Sequence, residues 1–571
     1  MKKLIFAFVL LLGILSACTK DKEPIPDDKK PPTPKEDIIF PEMSERVIND
    51  LELLGRLWGF MKYHHPEIGR GRYNWDNELF KFLPKYLKVE DNKQRDSLLL
   101  DWIEKYGKIP VCNDCRPTSF NAVLKPDFSW VDSGNMSQQL KDKINEIYAN
   151  RHQGDHYYVS LAHSSNPEFK YENAYSNMSY PDGEYRLLCL YRLWNMIQYY
   201  FPYRHLTDKN WNTVLREYIP IFISASDELE YELASLRIIG EINDTHANLW
   251  GGGDKIAAQR GSNYAPFRVE FIENKLVVTD YYNPEYSDAC ELKIGDIITH
   301  INGESVEAIV GRLRPYYPAS NDAAMLRNMA VNLLRSSQAS VDVSYISSGQ
   351  GKQKSLPLYN RSLLNIYQYK DYFDGKSYLF LDESIGYITL ATIKDADIPV
   401  IKDLFLNTKG IIIDIRNYPS VFVPFLLGSY FVSGSSAFVK FTEGNVNNPG
   451  EFTFTGSYRI TPESPSYRGK LVVLVNEYSQ SQSEYTSMAF RAGANTTIVG
   501  STTAGADGNV SYIYLPGGLM TAISGIGVYY PDGTETQRVG IIPDVWVRPT
   551  IEGIKQGKDE LLEAAIEIIR N

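Results

Sequence analysis

Residues 475–490 read VNEYSQSQSEYTSMAF. The apolar run LVVLV ends at Val475, and a segment with helical spacing begins near Ser483. The serines Ser479, Ser481 and Ser483 alternate with Gln480 and Gln482 at this strand-to-helix turn. Ligands in open α/β sheets gather at the carboxyl ends of strands. Helix N-termini offer free N–H groups and a positive dipole end, which favour a developing oxyanion. A serine here can attack a carbonyl, while Ser483 can equally serve as a helix cap.

The flanking sequence alternates strands and helices over residues 361–571. IGYITLA, KGIIIDIR, GKLVVLVNE and NTTIVG are short apolar runs, two of them unbroken as buried parallel strands are. IPVIKDLFLN, VFVPFLLGSYFV and SEYTSMAFRAGA read as the helices between them, giving an α/β region with a largely parallel core.

Residues 262–360 change the pattern to small strands. FRVEFIENKLVVTDYY is two strands joined at Glu273-Asn274, and Asn302-Gly303 in THINGESV is a strong hairpin signal. A helix over 321–335 and the strand ASVDVSYI follow. This order, with KIGDIITHING inside it, resembles the PDZ domains of bacterial processing proteases, which bind extended peptides by adding a strand to a sheet edge.

Residues 41–260 carry an internal repeat. RLWGFMKYHHPEIGRGRYNWD begins at Arg56 and RLWNMIQYYFPYRHLTDKNWN at Arg192, an offset of 192 − 56 = 136. Without a gap it pairs Trp58 with Trp194, Tyr63 with Tyr199, Pro66 with Pro202 and Trp75 with Trp211. Each copy reads as a helix stopped by Pro, a loop and a second helix, so the region is expected to be helical. His64 and His65 stand where the other copy has Tyr200 and Phe201, a pattern of packing rather than of metal binding.

The N-terminus, MKKLIFAFVLLLGILSACTKD, has two lysines, an apolar core and Leu15-Ser16-Ala17-Cys18. It resembles a bacterial lipobox, which implies cleavage before Cys18 and lipidation of its thiol, making residues 1–18 a lipoprotein signal. Residues 19–40, rich in Lys, Asp and Pro, read as a tether. The expected location is the cell envelope, in the outer membrane facing the periplasm or the surface. Cys112 and Cys115 form one CxxC, which suits a local disulfide in an exported protein better than zinc; Cys189 and Cys290 lie in apolar contexts. A net charge of −11 over 571 residues argues against a nucleic-acid partner. Forty tyrosines suit the handling of peptide or sugar and identify neither.

LVVLVNEYSQSQSE, together with IGYITL, GIIIDIRN and GIIPDVWV, resembles the S41 peptidases, the tail-specific or C-terminal processing family, over about residues 235–560. The resemblance implies a multidomain α/β chain whose last third is a crotonase-like S41 core. It makes Ser481 the nucleophile of a serine-type peptidase acting on peptides or protein C-terminal tails. The family's usual lysine base falls on Ala506, and no lysine occurs between 471 and 554. GEINDTHANLWGG supplies His246 instead, similar to the L-x-D-x-H element of the tricorn-like branch, where a histidine is the base. That branch places a hydroxyl before the histidine, here Thr245, and a late glutamate, here Glu535, with Gln537 as the rival register. Oxyanion donors are expected from the Gln482 N–H and, where the family has a glycine turn and this chain has Asn417-Tyr418-Pro419-Ser420, from the Ser420 N–H. A carboxylate beside His246 would raise its pKa. No cofactor or metal is expected, and the oligomeric state is left open. Two other readings stand beside the peptidase: a degenerate peptide-binding lipoprotein, and an envelope protein that uses the aromatic repeat as a glycan platform. No two-carboxylate signature argues glycosidase chemistry.

Overall fold

The computed structural model describes residues 38–367, 370–371 and 373–571. The expected signal, Cys18 and the tether up to residue 37 lie outside the described residues.

Helix α1 (Glu45–His64) starts at Ser44, whose side chain accepts from Val47 N–H, and ends at His65, held extended with ψ 127° before Pro66. The residue before proline is barred from the helical region, so the chain must turn there. Helix α2 (Trp75–Tyr86) follows, capped by Asn74. The same sequence of events gives α3 (Gly183–Tyr200), stopped at Phe201 before Pro202, and α4 (Trp211–Ser224), capped by Asn210. Indole pairs tie each helix to the next. Trp58 donates to Trp75 O at 3.2 Å and Trp75 to Trp58 O at 2.8 Å; Trp194 donates to Trp211 O at 2.9 Å and Trp211 to Trp194 O at 3.0 Å. All four rings are buried, so each N–H needs the acceptor it has found. His64 is buried and stacks on Phe60 with centroids 4.5 Å apart; burial drives its pKa down to about 3. Helix α5 (Glu228–Gly240) completes this part, and Cys112 and Cys115 are joined as a disulfide.

A six-stranded antiparallel sheet comes next. It comprises β1 (Phe267–Ile272), β2 (Lys275–Tyr281), β3 (Ile297–Ile301), β4 (Ser340–Ser347) and β5 (Gln350–Pro357), in the order β5-β4-β3-β2-β1, with Glu304–Ser305 paired to β3. Glu273 and Asn274 take φ 50° and 60°, the double left-handed turn that a tight hairpin demands. Helix α6 (Val306–Leu313) and helix α7 (Asp322–Leu333) cover one face.

The C-terminal sheet runs β6 (Tyr378–Asp382), β7 (Ile385–Thr389), β8 (Gly410–Asp414), β9 (Lys470–Val475), β10 (Thr496–Gly500) and β13 (Val545–Trp546) in that spatial order. Strands β7, β8, β9, β10 and β13 are parallel and β6 is an antiparallel edge. Every residue of β8 is buried because both faces are covered. Helices α8 (Asp397–Phe405), α9 (Pro424–Phe431) and α10 (Gln482–Arg491) pack on Ile411, Ile413, Val473 and Ile498. Helix α11 (Glu560–Arg570) packs on Ile412, Val472 and Val499, the alternate residues facing the other way.

A hairpin of β11 (Val510–Leu515) and β12 (Leu519–Ser524) leaves this core and buries Ile513, Leu515, Leu519 and Ile523 among the N-terminal helices. The helical region therefore shares its core with residues 361–571. Trp250–Gly251 pairs antiparallel with Leu519 and Met520 of β12. That pairing brings the loop after α5, with Asp244 and His246, to the C-terminal end of β12 and the carboxyl ends of the parallel strands.

Candidate active site

The serine-glutamine alternation sits at the turn between β9 and α10. Ser479 is fully buried; its hydroxyl donates to Ile415 O at 2.7 Å and accepts from Asn476 N–H. Ser483 is also fully buried and donates to Asn417 O at 2.7 Å. Both lock the turn to the segment after β8. Ser483 lies inside the first helical turn, so it is not the helix cap; Ser481 occupies that position. Ser481 alone of the three lines a cavity of about 680 Å³.

Ser481 has φ 57° and ψ −119°, backbone strain that an L residue adopts only when its surroundings impose it. Its N–H donates to Ala506 O at 2.9 Å and to Glu484 Oε2 at 3.3 Å, and its carbonyl accepts from Tyr485 N–H. Glu484 is buried beneath the turn and also accepts from Thr503 Oγ1, Gly505 N–H and Ala506 N–H. Burial raises its carboxyl to about 7, against the pull of these donors. Ala506, where the resemblance places a lysine, has no exposed surface, and its backbone is bonded to both Ser481 and Glu484.

His246 lines the same cavity. Its Nδ1 donates to Ser524 Oγ at 2.9 Å, and Ser524 Oγ donates to Asp244 Oδ1 at 3.0 Å. Asp244 is fully buried; its Oδ2 accepts from Ser524 N–H and its Oδ1 from His246 N–H. The Asp244 carboxylate stands 3.8 Å from Nδ1, so the hydroxyl of Ser524 relays between them. In this tautomer Nε2 is unprotonated, buried and without a protein partner. Burial lowers the His246 pKa below its ordinary value, outweighing the upward pull of Asp244. This corrects the expected rise: the carboxylate acts through a hydroxyl, while desolvation acts directly.

Three expected roles are corrected. Glu535 bonds to His205 Nε2 at 2.5 Å, each side chain one-third exposed, and takes no part in the His246 cluster. Gln537, two residues on, is the one turned inward: it is buried and its Nε2 reaches Asp244 Oδ1 and Ser320 Oγ at 3.4 Å each. Thr245 donates to Ala504 O at 2.9 Å and accepts from Ser320 N–H at 2.8 Å, so its hydroxyl clamps two loops and Ser524 touches the imidazole in its place. The Ser420 N–H is occupied by Leu390 O at 2.9 Å and cannot serve an oxyanion. Gln482 opens α10, where the first N–H groups have no intrahelical acceptor, and it lines the cavity beside Ser481.

The residues missed by sequence reasoning are Asp244, Ser524 and Glu484. Asp244 and Glu484 stand within the very motifs that pointed to His246 and Ser481. Ser524 is 278 positions from His246, and no local pattern marks it.

The model of peptidase family S41 matches residues 384–547. That span contains Ser481, Glu484 and Ser524 and excludes Asp244 and His246. Among solved structures, mature CPAF complexed with lactacystin aligns with TM-score 0.53 at 14% identity, over 68% of this chain and 98% of that one. The photosystem II D1 C-terminal processing protease aligns with TM-score 0.38 at 16% identity, over 66% and 98%. The tricorn protease aligns with TM-score 0.35 at 17% identity, over 68% of this chain and 37% of that one. No curated protein matches the sequence.

Proposed function

We propose, for a chain whose residues 384–547 match the model of peptidase family S41, that Ser481 and His246 are the catalytic pair of a serine-type peptidase and that peptides or protein tails in the cell envelope are its substrates. The observation that carries the reading is the imidazole itself. Nδ1 is fixed through Ser524 to Asp244, Nε2 has no protein partner, and His246 and Ser481 line one cavity. A serine without a base is a poor nucleophile, and this arrangement supplies one.

In the reaction, Nε2 takes the Ser481 proton as Oγ attacks the scissile carbonyl. The imidazolium that forms is stabilised by Asp244 through the Ser524 hydroxyl. The Gln482 N–H and the N-terminal end of α10 face the developing oxyanion. Nε2 then gives the proton to the leaving amine, and water repeats the sequence on the acyl-enzyme. Labelling with a fluorophosphonate probe tests the reading: the wild type is expected to label and Ser481→Ala is not. A degenerate binding protein is the second reading, favoured by the loss of the Ser420 N–H to Leu390. Folded wild type that never labels would decide for it.

Residues 262–360 fit a PDZ-like module that presents substrate tails to the cavity, and the duplicated helix pairs hold the β11–β12 hairpin that carries Ser524. Cys18 anchors the chain to the membrane by a lipid, with 19–40 as the spacer. Cys18→Ser is expected to move the protein from the membrane to the soluble fraction; membrane retention of the processed variant would refute the anchor.

A further inference from the structure

The cavity that holds Ser481 and His246 also holds a carboxyl group that the reaction does not use. Asp507 is 2% exposed, and it follows Ala506, the residue whose carbonyl fixes the Ser481 N–H. Its Oδ1 accepts from Gly508 N–H at 2.6 Å, while Oδ2 has no hydrogen-bond partner. Leaving such an atom buried and unpaired is destabilising. A fold keeps that cost where a ligand removes it.

The rest of the wall says which ligand. Tyr418, Phe422, Phe441 and Tyr485 line the cavity, and the Tyr485 ring stacks with Phe422 at 6.0 Å and with Phe441 at 6.1 Å. Among the described residues that line it there is no lysine or arginine, and Asp507 is the one acidic side chain. Aromatic faces attract a cation and accept the methylene stem of a long basic side chain. Burial and the neighbouring Glu484 hold the Asp507 carboxyl well above the usual carboxylate range. An arriving ammonium or guanidinium reverses this by favouring the ionised form. The chain's net charge of −11 draws basic segments toward it.

We propose that Asp507 is the specificity residue of this cavity, selecting substrates with a lysine or arginine side chain beside the scissile bond. The proposal rests on Ser481 being the peptidase nucleophile, which labelling reports separately. The side chain would lie between the aromatic rings with its charge on Oδ2 and the neighbouring carbonyl on Ser481.

The experiment measures kcat/KM for quenched peptides that differ at one position flanking the cleaved bond, carrying lysine, arginine, glutamine or norleucine. A charge-assisted bond predicts a preference of about 10- to 100-fold for lysine over norleucine in the wild type. In Asp507→Asn the ratio is expected to fall to within about threefold, with the loss mainly in KM because the contact is made in the ground state. Equal rates for lysine and norleucine in a labelled wild type would overturn the proposal while leaving the peptidase intact. Undiminished preference in Asp507→Asn would also overturn it. Absence of labelling would remove the peptidase reading and the proposal together. Should Asp507→Asn fail to fold, the wild-type ratio still decides.

Discussion

Ser481→Ala is expected to lower kcat for peptide hydrolysis by about 10⁶-fold, with KM little changed. The size of the effect follows from what the neighbours are doing. Ser479 and Ser483 are buried and committed to Ile415 O and Asn417 O, so neither can take over the attack. The strained φ of 57° at Ser481 is held by Ala506 O and Glu484, which remain when the hydroxyl is removed. The variant should therefore keep the cavity and the helix N-terminus and lose only the nucleophile. Its hydrolysis rate, followed against a wild type at equal concentration, checks this. A loss of tenfold or less would mean that another group attacks.

Asp244→Asn is expected to lower kcat by up to about 10⁴-fold, the scale seen when the acid of a serine triad becomes an amide. Asp244 accepts at both oxygens, from Ser524 Oγ and His246 N–H on one and from Ser524 N–H on the other. An amide must turn a donor toward one of these donors. The Ser524 hydroxyl could then accept from the amide and turn its own proton toward Nδ1, which favours the other tautomer, with the imidazole proton on Nε2. The two-step path, with 3.8 Å between Nδ1 and the carboxylate, makes the value an upper bound. Steady-state kinetics on Asp244→Asn and Ser524→Ala check it. A smaller loss at Ser524 is expected, because the negative charge of Asp244 persists there. Full activity in Asp244→Asn would show that the imidazole is oriented by something else.

Local features were the most legible in the sequence. The unbroken apolar runs read as buried strands, the prolines at 66 and 202 as helix stops, and Glu273-Asn274 as a hairpin, because each depends on a few adjacent residues. The turn marked the three serines, and the family resemblance singled out Ser481 and His246, which line one cavity. The acid was not. Glu535 and Gln537 lie two residues apart in a segment bridged at Tyr529 and Glu535, and charge type favoured the outer one. The structure turns Glu535 to solvent and His205, and Gln537 inward to Asp244. Ser420 failed for a related reason. Its N–H is spent on Leu390, a contact between two strand ends that no spacing reveals. The sharing of the helical core by β11 and β12 is equally non-local: it brings Ser524 to His246 across 278 positions.

The proton transfer from Ser481 to His246 is the central claim, and the rate of Ser481 acylation against pH tests it most directly. Attack requires neutral imidazole. Burial places the His246 pKa below its ordinary value of about 6.5, so the base is already competent at neutral pH. As pH falls through that lowered value, the imidazole takes a proton and the rate falls with it. The expected profile is flat near pH 7–8, with an acid limb centred below about 6.5. In His246→Ala the rate should drop by about 10⁶-fold and the limb should vanish. Undiminished acylation in His246→Ala, with the same acid limb, would contradict the account.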